Sequence, residues 1–107
     1  MAGALTPRRR IAVLGATGSI GASVLDVIAR HPGRFAVEAL VAGRQVEPLL
    51  ALCRQFRPRV AAVADESALP ALRAGLEAIG CGTQARAGAA AIEEIAADPA
   101  SDTVVAA

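Results

Sequence analysis

The sequence predicts an α/β fold built on a doubly wound parallel sheet. Three observations carry that expectation. Apolar and amphipathic runs alternate about five times along the chain, through short connections. The first apolar run, Ile11 to Leu14, is continuous, as in a parallel strand buried on both faces. Between it and the first amphipathic run stand Gly15, Gly18 and Gly21, spaced by three.

Residues 1–10 read as an N-terminal tail and residues 11–107 as one domain. After the strand Ile11 to Leu14, a helix is expected from Ser19 to about Arg30. Ile20, Val24, Val27 and Ile28 form its apolar face, and Pro32-Gly33 ends it. Phe35 to Val41 is the second strand, with Gly43 as the break. Val46 to Phe56 is the second helix, burying Val46, Leu49, Leu50, Cys53 and Phe56 and closed by Pro58. Val60 to Ala64 is the third strand. Asp65 and Ser67 are both candidate caps for the next helix, which takes Pro70 in its first turns and buries Leu69, Leu72, Leu76 and Ile79. Gly80-Cys81-Gly82 is a turn, Thr83 to Ala87 a short fourth strand, and Ala89 to Ala97 a small helix carrying Ile92 and Ile95. Thr103 to Ala107 begins a fifth strand. Because Val104-Val105-Ala106-Ala107 carries no turn, cap or polar tail, the domain is expected to be truncated there, as the N-terminal part of a longer protein.

Composition narrows the class. A hydrophobic fraction of 54% and a mean hydropathy of +0.47 argue against a disordered chain. Much of that apolar content is Ala, which buries far less than a Leu or Ile worth roughly 1.5–3 kcal/mol, so a thin core of marginal stability is expected. A net charge of +1 argues against a general nucleic-acid or membrane-surface protein. All 11 basic residues are Arg, and the cluster Arg8-Arg9-Arg10 reads as a solvated flank. The spacing of Cys53 and Cys81 suggests neither a metal site nor a structural disulfide, which fits a reducing cytoplasm. His31, beside Pro32-Gly33, suits a helix C-terminus better than catalysis. The glycines and Asp26 break the apolar run after the arginines, against an export signal. No segment approaches the roughly 20 apolar residues that span a bilayer.

The glycine loop points to a bound anion. Gly15 allows a tight turn, Gly18 lets a pyrophosphate approach the backbone, and Gly21 lets the helix pack close to the sheet. Free N–H groups and roughly half a positive charge at the helix N-terminus favour a phosphate linker over Thr17, Gly18, Ser19 and Ile20. The hydroxyls of Thr17 and Ser19 can donate to it, although Ser19 could instead only cap the helix. The spacing is G-x-x-G-x-x-G, and its place between strand and helix is the context that a dinucleotide loop requires. The end of the second strand selects the cofactor. Ala42-Gly43-Arg44-Gln45 offers no carboxylate for a ribose 2′-hydroxyl, and Glu38 lies earlier, inside the strand. Arg44 can take a 2′-phosphate through paired, charge-assisted bonds, and Gln45 can add an amide. NADP(H) is therefore expected over NAD(H), in a Rossmann-like NADP-binding domain.

The segments Leu14-Gly15-Ala16-Thr17-Gly18-Ser19-Ile20-Gly21, Leu25-Asp26-Val27-Ile28, Ala39-Leu40-Val41-Ala42-Gly43, Phe56-Arg57-Pro58 and Val63-Ala64-Asp65-Glu66, with Pro32 and Phe35 between them, resemble the 1-deoxy-D-xylulose 5-phosphate reductoisomerase family in order and spacing. That resemblance implies an NADPH-dependent enzyme of isoprenoid precursor synthesis, active on a sugar phosphate with magnesium or manganese. It implies cofactor contacts from Thr17, Gly18, Ser19, Ile20, Gly43, Arg44 and Gln45, the last often Asn in the family. It also implies a cytoplasmic bacterial homodimer whose metal ligands, substrate-phosphate site and C-terminal helical domain lie beyond residue 107. No catalytic or metal-binding residue is expected within this chain, and Glu93-Glu94 reads as a solvated pair. Two alternatives remain: another NADP oxidoreductase, such as an aspartate-semialdehyde dehydrogenase relative, and a non-catalytic nucleotide-sensing module.

Overall fold

The computed structural model describes residues 7–107, so the first six residues of the expected tail lie outside the described residues. Five strands, β1 (Arg9–Leu14), β2 (Phe35–Ala42), β3 (Val60–Val63), β4 (Gln84–Ala87) and β5 (Thr103–Ala106), alternate with four helices. The helices are α1 (Ser19–Arg30), α2 (Val46–Phe56), α3 (Leu69–Ala78) and α4 (Ala89–Ala97), and a 3₁₀ turn at Glu66–Ala68 precedes α3. All strand pairs are parallel, in the order β4-β3-β2-β1-β5. The chain therefore winds outward from β1 to β4 and then returns to the other side of β1. That reversal is the switch point of a doubly wound sheet, where ligands bind beyond the strands' carboxyl ends.

Alternation along the strands sorts the core into two layers. Val13, Leu40, Ala61 and Val63 face α1, α2 and α3, whose Leu25, Ile28, Leu49, Cys53 and Leu72 lie in the same cluster. Ala12, Ala39, Val41, Val60 and Ala62 face the opposite side, with Ile95 of α4. The expected thinness is real in the second layer, where three of these five strand residues are Ala.

Two expectations are corrected. The N-terminal tail expected over residues 1–10 is shorter, because β1 begins at Arg9. The Arg9 amide donates to Arg34 O at 2.8 Å, and the Arg10 amide donates to the Asp102 carboxylate at 2.7 Å. At a sheet end the backbone can pair while charged side chains stay in water, so Arg9 and Arg10 extend the strand and only Arg8 of the cluster precedes it. On α1, Ile20 is 64% and Val27 50% exposed, whereas Gly21, Leu25 and Ile28 are buried. The helix is turned so that Gly21 faces inward, and that rotation carries Ile20 and Val27 out. The remaining boundaries agree within one residue, and His31 is the C-cap of α1, its amide donating to Ile28 O at 3.1 Å.

Candidate dinucleotide-binding site

The loop after β1 is shaped by its glycines in three different ways. Gly15 has φ +78°, a left-handed conformation that side chains disfavour, and a Cβ there would stand 2.6 Å from the Ala107 carbonyl oxygen. The Gly15 and Ala16 amides donate to Val41 O at 2.9 and 2.8 Å, tying the loop to the end of β2. A Cβ on Gly21 would strike the Gly15 carbonyl oxygen and come within 2.9 Å of Ala16 Cα. Its bare backbone thus seats α1 against the loop itself, where the sequence suggested the sheet. Gly18 differs from both. The nearest atom to a Cβ there is Gly15 O at 3.5 Å, an ordinary contact, so the protein leaves the space over Gly18 open.

Gly18 is also the N-cap of α1, with no side-chain cap. Ser19 is the first helical residue, so its hydroxyl is not spent on capping. The first i→i−4 bond runs from Ala22 N to Gly18 O at 2.9 Å. The amides of Ser19, Ile20 and Gly21 precede that bond and carry the partial positive charge of the helix end. Thr17 is half-buried, while Gly18, Ser19 and Ile20 are exposed. Open space, free amides and two hydroxyls suit a phosphate linker, which supports the fit of a dinucleotide here.

Gly43, Arg44 and Gln45 leave β2 at the same carboxyl end, and all three are exposed. Gln45 is the N-cap of α2 and makes no side-chain cap bond, so its amide is available. The structure thus brings both predicted groups to one edge of the sheet on adjacent parallel strands, with Leu14 paired to Val41. Among the described residues no hydrogen bond joins the two groups.

One neighbour was missed as part of this corner. The Asp65 amide donates to Gly43 O at 2.9 Å, and the Asp65 carboxylate accepts from the Ser67 hydroxyl at 2.6 Å and amide at 3.0 Å. Those two bonds hold its carboxyl below the usual range, outweighing desolvation, and the Arg44 charge adds a smaller push in the same direction. The sequence offers Asp65 and Ser67 as caps for α3, but the N-cap of α3 is Ala68 with no side-chain bond, and Asp65 caps the 3₁₀ turn that intervenes. Its pairing with Gly43 spans 22 residues and has no local signal.

Glu38 is not at this corner. It is 1% exposed at a register slip between Ile11 and Ala12, with Arg10 Nη2 at 2.6 Å and Arg59 Nε beyond its other oxygen. Glu93 and Glu94 are exposed, and Glu94 pairs with Arg86 at 2.9 Å. Cys53 and Cys81 are both free and buried. Among the described residues no group of three or more His, Cys, Asp or Glu side chains could hold a metal, and no helix is long and apolar enough to cross a membrane.

Comparison with known proteins gives one answer. The family model described as 1-deoxy-D-xylulose 5-phosphate reductoisomerase matches residues 11–107. The protein of that name from Xanthomonas oryzae pv. oryzae (strain PXO99A) is 60% identical over 99 residues, covering 92% of this chain and 25% of the relative. That from Aromatoleum aromaticum is 53% identical over 104 residues, covering 95% of this chain and 26% of the relative. A DOX-P reductoisomerase crystallised with NADPH, fosmidomycin and magnesium superposes with a TM-score of 0.86 at 38% identity, covering 90% of this chain and 23% of that one. The Zymomonas mobilis enzyme in complex with NADPH gives 0.80 at 41% identity, over 84% of this chain and 23% of that one. The chain spans about a quarter of the length of the curated relatives it matches. The aspartate-semialdehyde dehydrogenase alternative gives way to these findings: the chain belongs to the 1-deoxy-D-xylulose 5-phosphate reductoisomerase family.

Proposed function

We propose that residues 11–107 form the NADPH-binding segment of an enzyme that rearranges 1-deoxy-D-xylulose 5-phosphate and reduces it to 2-C-methyl-D-erythritol 4-phosphate. The observation that carries this reading is the placement of the open glycine loop and Arg44 at the carboxyl ends of adjacent parallel strands. In this reading the Ser19 and Ile20 amides and the Thr17 and Ser19 hydroxyls donate to the pyrophosphate, and Gly18 admits it. Arg44 pairs with the 2′-phosphate, Gly43 lets the adenosine ribose lie close to the strand end, and Gln45 donates an amide hydrogen bond. The bound cofactor supplies the hydride, and this segment's task is to hold its adenosine and phosphate end in register with the rest of the enzyme. Magnesium or manganese would be held by ligands outside this chain. The enzyme would be a cytoplasmic bacterial homodimer with a small sugar-phosphate substrate and no nucleic-acid or membrane partner.

The test is a titration of the full-length protein with NADPH and NADH. NADPH should bind more tightly by at least about tenfold, the worth of one charge-assisted contact pair. Arg44→Ala should remove most of that preference while leaving NADH affinity unchanged. Equal affinities in the parent, or an unchanged preference in the variant, would sink the assignment.

A further inference from the structure

The Arg8-Arg9-Arg10 cluster has no part in the dinucleotide reading, yet the fold gives it a definite place. It lies at the amino ends of the strands, opposite the glycine loop. There a cavity of about 580 Å³ opens between the ends of α1 and α2 and the start of β2. That volume falls in the range of small-molecule sites, roughly 300–1,000 Å³. Its walls are apolar, with Ile28 and Val37 buried and Phe35 and Phe56 half-buried. Its polar lining comes from four arginines, Arg8, Arg10, Arg57 and Arg59, together with Gln55. A second cavity continues from it through Arg8, Arg10 and Phe35 toward Arg9 and Arg34. Six of the 11 arginines therefore gather at one edge of a chain whose net charge is +1.

The local partners do not neutralise this edge. Glu38 serves Arg10 and Arg59 together, and Asp98 adds a second bond to Arg59 at 3.0 Å. Asp102 uses its carboxylate on the Arg10 amide. The C-termini of α1 and α2 add about half a negative charge each. Arg8 and Arg57 have no carboxylate partner among the described residues. Arg8 makes one long bond to Pro32 O at 3.3 Å, and Arg57 makes one to Gly80 O at 3.5 Å and also interacts with the Cys81 thiol. A guanidinium has five N–H donors, so most of theirs remain available at the cavity. Arg57 also holds φ 50°, the only positive φ among the described residues that are not glycine. That left-handed C-cap of α2 sets where its side chain departs.

We infer that this cavity is a second ligand site, for a small amphiphilic anion. A phosphate or carboxylate head would lie between Arg8 and Arg57, and an apolar body would lie against Phe35 and Phe56. A bare inorganic anion would use the cations and leave the apolar wall uncovered. An uncharged apolar molecule would cover the wall and leave the cations unused.

The full-length protein is titrated by calorimetry with hexyl phosphate, inorganic phosphate and hexanol. Hexyl phosphate should bind at least about tenfold more tightly than inorganic phosphate, because its methylenes leave water, and hexanol should show no binding. Arg8→Gln and Arg57→Asn each remove one cation, and Asn tolerates the left-handed backbone. Each should weaken hexyl phosphate at least about fivefold through loss of a charge-assisted bond, with unchanged NADPH affinity and melting temperature. Equal binding of hexyl and inorganic phosphate would overturn the inference, as would parent-like hexyl phosphate affinity in both variants. Arg10 and Arg59 are left intact because they also hold Glu38.

Discussion

Gly18 and Gly21 stand three residues apart in one loop and answer to different demands. A methyl on Gly21 would meet the Gly15 carbonyl and Ala16, backbone atoms that cannot rotate aside. Gly21→Ala should therefore destabilise the fold by about 1–3 kcal/mol, the usual cost of overpacking. A methyl on Gly18 meets nothing closer than 3.5 Å. Gly18→Ala exchanges one N-cap residue for a poorer one, at about 1 kcal/mol or less, but places the methyl where the pyrophosphate is to lie. Urea unfolding and NADPH titration of both variants separate the two roles. Gly18→Ala should stay close to the parent in stability and lose at least about tenfold in NADPH affinity through steric exclusion. A Gly18→Ala protein that keeps parent affinity would show that the pyrophosphate does not pass over Gly18.

At the level of elements, the amino ends of three strands are tied through one carboxylate. Glu38 of β2 takes Arg10 of β1 on one oxygen and Arg59, which precedes β3, on the other. Glu38 is buried, whereas the side chains of Arg10 and Arg59 are 52% and 49% exposed. Loss of the carboxylate would let both arginines rehydrate, so Glu38→Gln should cost less than the 3–5 kcal/mol of a fully buried broken pair. A loss of about 1–3 kcal/mol in urea unfolding is expected, as for hydrogen bonds to charged groups. A variant as stable as the parent would show that the clamp adds nothing to the sheet. This tie was illegible in the sequence because its partners lie 28 and 21 residues away, and a single sequence carries no signal for so distant a pairing. The glycine loop and the Arg44 corner were legible for the opposite reason: turn, cap and strand end are all encoded within a few adjacent residues. The face of α1 was misread because periodicity weighs side chains. Gly21 has none, yet it takes the inward position that the loop backbone demands.

Across these 107 residues taken together, the absence of Lys and Tyr makes alkaline stability unusually simple to assign. Arginine stays protonated, so apart from the chain's amino terminus only Cys53 and Cys81 titrate at high pH. Cys53 is fully buried on the inner face of α2, in the larger core cluster. Burial first, and the nearby Cys81 charge second, push its thiol from 9.0 up to about 12. Cys81 goes the other way. Burial raises it, but the Thr83 hydroxyl and amide and the Arg57 charge together outweigh that and lower it. The sign for Cys53 follows from linkage: the folded chain holds its proton where the unfolded chain releases it. Its contribution is full below pH 9 and is lost as pH rises from 9 toward 12, at up to about 1.4 kcal/mol per pH unit. Urea unfolding of the 107-residue chain between pH 8 and pH 11 should show stability falling with that slope. Cys53→Ala should be about 1 kcal/mol less stable at pH 7, from the small cavity it leaves, but nearly flat across the alkaline range. Cys81→Ala should keep the decline, because the group responsible is still present. A decline of equal slope in the parent and in Cys53→Ala would mean that the buried thiol is not what limits the fold at high pH.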